Sequence, residues 1–167
     1  MLMASLVTGL SIGITLQFGA SPTGQLPAAF PPTEVTKGEA TWPVAGFVYR
    51  FPDIPWPDWN SGHRGIDIAI TGSDLVYSPT AAEVVWVGAI GGESGISLTD
   101  DFGYRHTLMH LTSELEVGDS VVAGDVIGVA QNSGHCGFEI CIHWSVRQGE
   151  KYLDPRWFVC ELLVLLP

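Results

Sequence analysis

Basic residues are scarce in this chain. Lysine and arginine number 7 among 167 residues, against 18 aspartates and glutamates, which gives a formal net charge of -11. Phosphate backbones and anionic lipid surfaces repel so acidic a chain at long range, so nucleic acid is a poor candidate partner. The chain also lacks a long block rich in Ala, Glu, Lys and Leu, whereas it has 20 Gly and 11 Pro. This composition indicates short strands joined by tight turns, and we predict an all-β fold.

Charged side chains are absent from residues 1–33. Residues 1–20 are apolar enough for a signal peptide or a membrane anchor, although they lack the basic flank expected of either. A buried core helix is the alternative, but three glycines weaken it. We therefore predict an exported protein, extracellular or anchored to the membrane and facing outward, with a Pro-rich linker at residues 21–40. The apolar C-terminal tail, residues 161–167, is too short to cross a bilayer.

Cysteine is rare as well. The three cysteines are Cys136, Cys141 and Cys160, an odd number that leaves one thiol over if two of them pair. Disulfides persist in exported proteins, and the short spacing of Cys136 and Cys141 allows a small closed loop. Three pairings are possible, and the sequence does not choose among them. Ligation of a metal by Cys141 is a competing use.

Short apolar alternations, broken by Gly, Pro and Asp, follow the linker. Residues 76–89, 96–111 and 115–130 each predict a strand, a turn and a second strand. Residues 72–88 and 117–130 also resemble each other, since both run from a glycine through two apolar pairs to another glycine. A weak internal repeat of this length suits a sheet folded on itself.

His63 and Asp67 lie four residues apart in the segment GHRGIDIAI, with Gly65 between them. In a strand, positions 63, 65 and 67 share a face, so an imidazole and a carboxylate would project the same way over bare backbone. The ordinary alternative is an exposed strand that carries a histidine and an aspartate on its wet side.

Two further histidines lie in alternating segments. His143 shares a strand face with Cys141, and His110 lies in the segment TLMHL. Together with His63 and Asp67, His143 would complete a set of two histidines and one carboxylate, which is typical of a catalytic zinc site with one open position. Spacing along the chain does not show that these strands are neighbours.

The segment GHRGIDIA resembles the His-x-x-x-Asp motif of the lysostaphin-type (LytM-like) zinc endopeptidases, which cut peptide cross-links in bacterial cell walls. Four more stretches are similar to the family pattern and follow in the same order: VYSPTAAEVVWVG, TLMHL, VGDSVVAGDVIG and IHWSVRQGEKYLDPRWFV. The resemblance covers about residues 42–159. It implies a peptidase domain at residues 41–160, in which antiparallel sheets with a duplicated hybrid motif form a groove.

The resemblance also implies roles for individual residues. His63, Asp67 and His143 fall on the positions of the Zn²⁺ ligands, and His110 falls on a catalytic histidine that stabilises the developing oxyanion. The implied activity is zinc-dependent hydrolysis of stem or cross-bridge peptides in peptidoglycan, with residues 1–20 as a possible membrane tether.

The sequence departs from the family pattern at two positions. Cys141 replaces the first histidine of the family's His-x-His motif, a second catalytic group, and Leu108 replaces a tyrosine. A subset of exported actinobacterial homologues is similar, with GHC....CLHW in this region. Because a positioned acid or base contributes typically ~10²–10⁴-fold to the rate, the change favours an alternative function. That alternative is a weakened or inactive wall-binding or regulatory module that retains the zinc site; a purely structural domain is a third.

The region of Cys141 has two further interpretations under this resemblance. Cys141 as a thiolate would fill the open metal position and favour a structural or inhibited site. We favour instead a disulfide with Cys136, because export oxidises two cysteines so close in sequence. His135 then becomes a candidate for the missing catalytic group.

The remaining candidates have simpler interpretations. His106 matches no family position, and we predict that it faces solvent. Trp56, Trp59 and Trp144 either line a groove or pack in the core or at its rim. Asp154 is predicted to end a strand and to start a turn.

Overall fold

The computed structural model describes residues 40–57, 59–137 and 140–159. The predicted hydrophobic segment 1–20, all but the last residue of the linker 21–40, the tail 161–167 and Cys160 lie outside the described residues. Among the described residues, no helix has the length and apolar character needed to span a membrane.

Short strands dominate the described residues, and only one turn of 3-10 helix, Pro155–Trp157, is found among them. The predicted all-β fold of antiparallel sheets is therefore confirmed. The strands are β1 (Gly46–Arg50), β2 (Ile66–Ile70), β3 (Leu75–Tyr77), β4 (Ala82–Ile90), β5 (Glu93–Thr99), β6 (Tyr104–Met109), β7 (Leu111–Thr112), β8 (Ser120–Val121), β9 (Val126–Ala130), β10 (Cys141–Gln148) and β11 (Lys151–Leu153).

The strands form a large sheet and a small sheet. The large sheet has the order β1-β2-β10-β6-β5-β4-β8, and β11 pairs with β10; the small sheet has the order β3-β9-β7. Neighbouring strands in both sheets are antiparallel. An isolated parallel bridge joins Ala40 to Val159 and so brings the two ends of the described domain together.

The three predicted strand–turn–strand units are present, as β3–β4, β5–β6 and β8–β9. In the turn between β5 and β6, the carboxylate of Asp100 accepts hydrogen bonds from the backbone N–H groups of Phe102 and Tyr104. The two similar segments pair with each other, since β3 pairs with β9 and β4 pairs with β8. The first pairing lies in the small sheet and the second in the large sheet, so the similar segments pair across two sheets and not within the one folded sheet that the repeat suggested.

Alternation along β6 and β10 separates a core face from a second face. Leu108, Ile142, Trp144 and Val146 are fully buried on the core face. His106 lies on this face too, because residues 104, 106 and 108 alternate together. Its side chain is 1% exposed and stacks on Trp144 at a ring separation of 6.0 Å. The prediction that His106 faces solvent was therefore wrong.

The exposure of the tryptophan side chains distinguishes between their two predicted positions. Trp144 belongs to the core, whereas Trp56 and Trp59 are 86% and 84% exposed and do not pack in it.

Asp154 follows β11 and caps the 3-10 turn, because its carboxylate accepts a hydrogen bond from the backbone N–H of Arg156. The predicted strand end and turn at Asp154 are confirmed.

Candidate metal and catalytic site

Antiparallel pairing of β2 with β10 places Asp67 directly opposite His143. His63 reaches the same place from outside the strand. β2 begins only at Ile66, and His63 pairs instead with Asp53 through two backbone hydrogen bonds of 2.8 and 2.9 Å. The prediction that positions 63 to 67 form one continuous strand was wrong, because the backbone polar groups of His63 find their partners at Asp53.

Three side-chain atoms converge at this point. Nε2 of His63 and Nδ1 of His143 lie 3.1 Å and 2.7 Å from Oδ1 of Asp67, and the two nitrogens are 3.2 Å apart. Ligand atoms at the usual Zn–N and Zn–O distances are about 3.3 Å apart around a tetrahedral zinc ion. The three atoms therefore have the donor chemistry of a zinc site; two of their separations are close to that value, and the separation between His143 and Asp67 is shorter.

The ligand atoms are oriented by their surroundings. Nδ1 of His63 lies 2.8 Å from the carbonyl oxygen of Phe51, and because a carbonyl only accepts, Nδ1 donates and Nε2 faces Asp67. Burial by itself raises the pKa of the Asp67 carboxyl. The hydrogen bond and charge of His143, with the charges of His63 and His135, outweigh burial and lower this pKa from 3.8 to about 2. The carboxylate is thus ionised and available as a ligand at neutral pH.

Gly65 leaves the room that His143 occupies. A Cβ atom at position 65 would lie 2.8 Å from Nε2 of His143 and closer still to the carbonyl oxygen of Trp144. Only glycine permits this approach without displacing β10. The bare backbone expected between His63 and Asp67 is therefore the surface on which the imidazole of His143 lies.

His110 lies where the chain passes from β6 in the large sheet to β7 in the small one. Its φ is +71°, a left-handed conformation that non-glycine residues rarely adopt. Its backbone N–H donates to the carbonyl oxygen of Ser94 at 2.8 Å, and its Nδ1 is 3.1 Å from Oε2 of Glu93. Burial lowers the pKa of His110, and the hydrogen bond to Glu93 acts in the opposite direction. Leu108, at the family's tyrosine position, is fully buried in the core and offers the site no polar group.

A disulfide joins Cys136 to Cys141, the pairing favoured above. Cys141 is the first residue of β10, so the bond ties the preceding loop to the strand that carries His143. His135, next to Cys136, thereby enters the site. Its Nε2 lies 3.3 Å from Oδ2 of Asp67, and its ring stacks on that of His110 at 4.6 Å.

The structure therefore brings together all the predicted histidines and Asp67. Nitrogen or oxygen atoms of His63, Asp67, His135 and His143 lie within 4.8 Å of one another. Cys141 does not join them, because its sulfur is bonded to Cys136 and offers no thiolate. Sequence reasoning missed Glu93 and the carbonyl of Phe51. A lone glutamate after two glycines, or a main-chain carbonyl, carries no motif that would have identified it.

Comparisons with known proteins identify the family and the fold. The sequence model of Peptidase family M23 matches residues 61–155, more than half of the chain. The uncharacterized protein Rv2891 of Mycobacterium tuberculosis is 33% identical over 132 residues, which cover 74% of this chain and 53% of the relative. The chain thus spans about half the length of the curated relatives that it matches.

Solved structures share the fold. A zinc containing peptidase from Vibrio cholerae superposes with a TM-score of 0.58 at 20% identity, over 72% of this chain and 39% of that one. The catalytic domain of the antimicrobial peptidase lysostaphin from Staphylococcus simulans gives 0.52 at 20% identity, over 75% and 94%. The match to the family sequence model and the shared fold lead to one assignment: the chain belongs to Peptidase family M23.

Proposed function

We propose that this protein is a zinc-dependent endopeptidase that hydrolyses peptide bonds in bacterial cell-wall peptidoglycan. The observation that carries the proposal is the convergence of His63, Asp67 and His143 to within 3.2 Å of one another in a chain of Peptidase family M23. Stem or cross-bridge peptides of the wall are the proposed substrates. Export, with residues 1–20 as signal or tether, would bring the protein to them.

Each of the converging side-chain atoms has a role in the proposed reaction. Nε2 of His63, Oδ1 of Asp67 and Nδ1 of His143 would hold Zn²⁺ and leave one position open. A bound zinc ion supplies Lewis acidity and a hydroxide-like nucleophile at neutral pH. Because Nδ1 of His110 faces Glu93, Nε2 is the nitrogen left to accept a proton from the attacking water. The protonated ring could then stabilise the oxyanion by a hydrogen bond and return the proton to the departing amine.

His135 supplies the imidazole that position 141 lacks. Although His135 belongs to the loop before β10, its ring stacks on His110 and its Nε2 reaches the second oxygen of Asp67, so its side chain lies beside the ligand set. Its side chain is 37% exposed, which leaves it open to a substrate in the groove. We propose His135 as the second acid or base group, and the disulfide loop GHC....CIHW as a trait of the exported actinobacterial variant.

One observation favours a second function. Cys141, at the position of a family catalytic histidine, is buried in a disulfide and contributes no acid or base. If His135 does not replace that histidine, the protein would act as a wall-binding or regulatory module that keeps zinc but cuts slowly or not at all.

Cell-wall digestion separates the two functions. The purified full chain is loaded with zinc, its metal content is measured, and soluble peptides released from purified cell walls are identified by mass spectrometry. The endopeptidase predicts release by the wild type and none by His63→Ala. Wall binding with stoichiometric zinc but no release would support the regulatory module. Release only by Cys136→Ser/Cys141→His would show that the native site lacks an essential group.

A further inference from the structure

Glu93 is the first residue of β5 and lies beside His110, although no motif marks it. We infer that Glu93 is a positioning residue, which holds the ring of His110 in one orientation with the proton on Nδ1. The inference rests on the proposed function, because it concerns the same acid or base. It adds a residue that acts through His110 and touches none of the three proposed zinc ligands in the described contacts.

Two successive residues hold both parts of His110. The carbonyl oxygen of Ser94 accepts the backbone N–H of His110 at 2.8 Å, and Oε2 of Glu93 lies 3.1 Å from its Nδ1. The main chain and the side chain of one strand end therefore fix the backbone and the ring together. A carboxylate at neutral pH only accepts, so Nδ1 carries the proton and Nε2 keeps its lone pair.

Residues with positive φ lie on both sides of the contact between Glu93 and His110. His110 has a φ of +71°, and the turn before Glu93 consists of Gly91 and Gly92 at φ +64° and +92°. This tight turn of the β4–β5 hairpin brings Glu93 back alongside the end of β6. The two glycines adopt positive φ without steric cost. For His110 the left-handed conformation costs energy and persists because the surrounding structure enforces it, as is common at functional sites.

The ring of His110 is held on two sides. Glu93 binds one edge through Nδ1, and the imidazole of His135 stacks on its face at 4.6 Å. The side chain of His110 is only 5% exposed, whereas that of Glu93 is 42% exposed. Without Glu93 the buried ring keeps its place but loses the partner that selects the tautomer. Partners that orient metal-ligating histidines change metal affinity or activity by about 10–100-fold, and we expect an effect of similar size where Glu93 orients His110.

The tautomer of His110 tests the inference without any activity measurement. Nitrogen-15 NMR of the imidazoles in the zinc-loaded full chain, with His110→Gln to assign the signals, distinguishes Nδ1–H from Nε2–H. We expect Nδ1–H in the wild type and in Glu93→Gln, whose amide oxygen still accepts. We expect loss of that tautomer in Glu93→Ala. Finding Nε2–H in the wild type would overturn the inference.

Kinetics give the second readout. Glu93→Ala is expected to lower kcat by about 10–100-fold with little change in KM or zinc content, and Glu93→Gln to lower it less. Glu83→Ala removes the same charge from an exposed position in the same hairpin and should match the wild type. Equal rates for Glu93→Ala and Glu83→Ala, or loss of zinc from both Glu93 variants, would refute the positioning role. If the wild type itself releases no wall peptides, the proposed function fails, while the NMR result still decides the role of Glu93.

Discussion

The site has two halves that are built differently. The ligand half, made of His63, Asp67 and His143, rests on β2, on β10 and on a bridge to Asp53, all held by backbone hydrogen bonds. The histidine pair, made of His110 and His135, rests on a residue at positive φ and on a loop closed by a disulfide. Side-chain exposure does not separate the halves, because His143 in the first is 18% exposed and His110 in the second is 5% exposed.

This difference indicates which structural features would support zinc binding and which would support hydrolysis. Under the proposed function, zinc binding would depend mainly on strand register and on the ligands themselves. Placement of the proposed acid and base groups would depend on one strained residue and one covalent bond. Substitutions should therefore separate zinc binding from hydrolysis.

The largest expected effect is the loss of zinc from His143→Ala. Removal of a ligand should weaken zinc binding by more than about a hundredfold, because loss of an outer-shell partner alone costs 10–100-fold. His135→Ala is the matched control and should keep its zinc while hydrolysis falls by ~10²–10⁴-fold. Competition of each variant with a chromogenic chelator measures the affinity. Equal loss of zinc from the two variants would show that His135 is a fourth ligand and that the two halves do not have separate roles.

An intermediate effect is expected from removal of the disulfide. In Cys136→Ser/Cys141→Ser the loop that carries His135 is no longer tied to β10. Hydrolysis should fall by about tenfold or more toward the level of His135→Ala, with zinc content unchanged. Closure of so short a loop stabilises the fold by about 2 kcal/mol, and urea unfolding would record that loss. A reductant should lower hydrolysis by the wild type to the same extent and leave hydrolysis by the double variant unchanged. A decrease in both proteins would point to another cause.

The smallest effect concerns acid stability of the metal-free protein. The pKa of Asp67 is about 2 in the fold, below its ordinary value of 3.8. As the pH falls, the unfolded chain therefore takes up a proton at Asp67 before the folded protein does. The contribution of Asp67 to the free energy of unfolding is complete above about pH 4 and is lost as the pH falls toward 2. Unfolding free energies measured from pH 5 to pH 2 in the presence of a chelator should fall more steeply for wild type than for Asp67→Asn. Parallel curves would exclude Asp67 as the titrating group.

Much of the fold could be predicted because its signals are local. Turns such as that at Asp100 depend on side chains that bind the backbone within four residues, and strands show their alternation over a few positions. The solvent-facing prediction for His106 failed for the complementary reason. Alternation shows that β6 has two faces, but only packing against Trp144 decides which face is the core.

The site was predictable in its members but not in its arrangement. Residue type and spacing made His63 and Asp67 only a candidate pair, and the resemblance to lysostaphin-type endopeptidases gave them a predicted metal role. The route of His63 through its bridge to Asp53, the arrival of His135 and the contact of Glu93 with His110 each join residues that the sequence leaves unrelated.

The sequence by itself determined the short strands, the turns between them and the kinds of ligand atom available. Only the tertiary structure decided that His143 meets Asp67 from 76 positions away and His63 from 80. Such pairing carries no local signal, because the register of β2 against β10 is fixed by burial of Ile66, Ile68 and Trp144 in a common core.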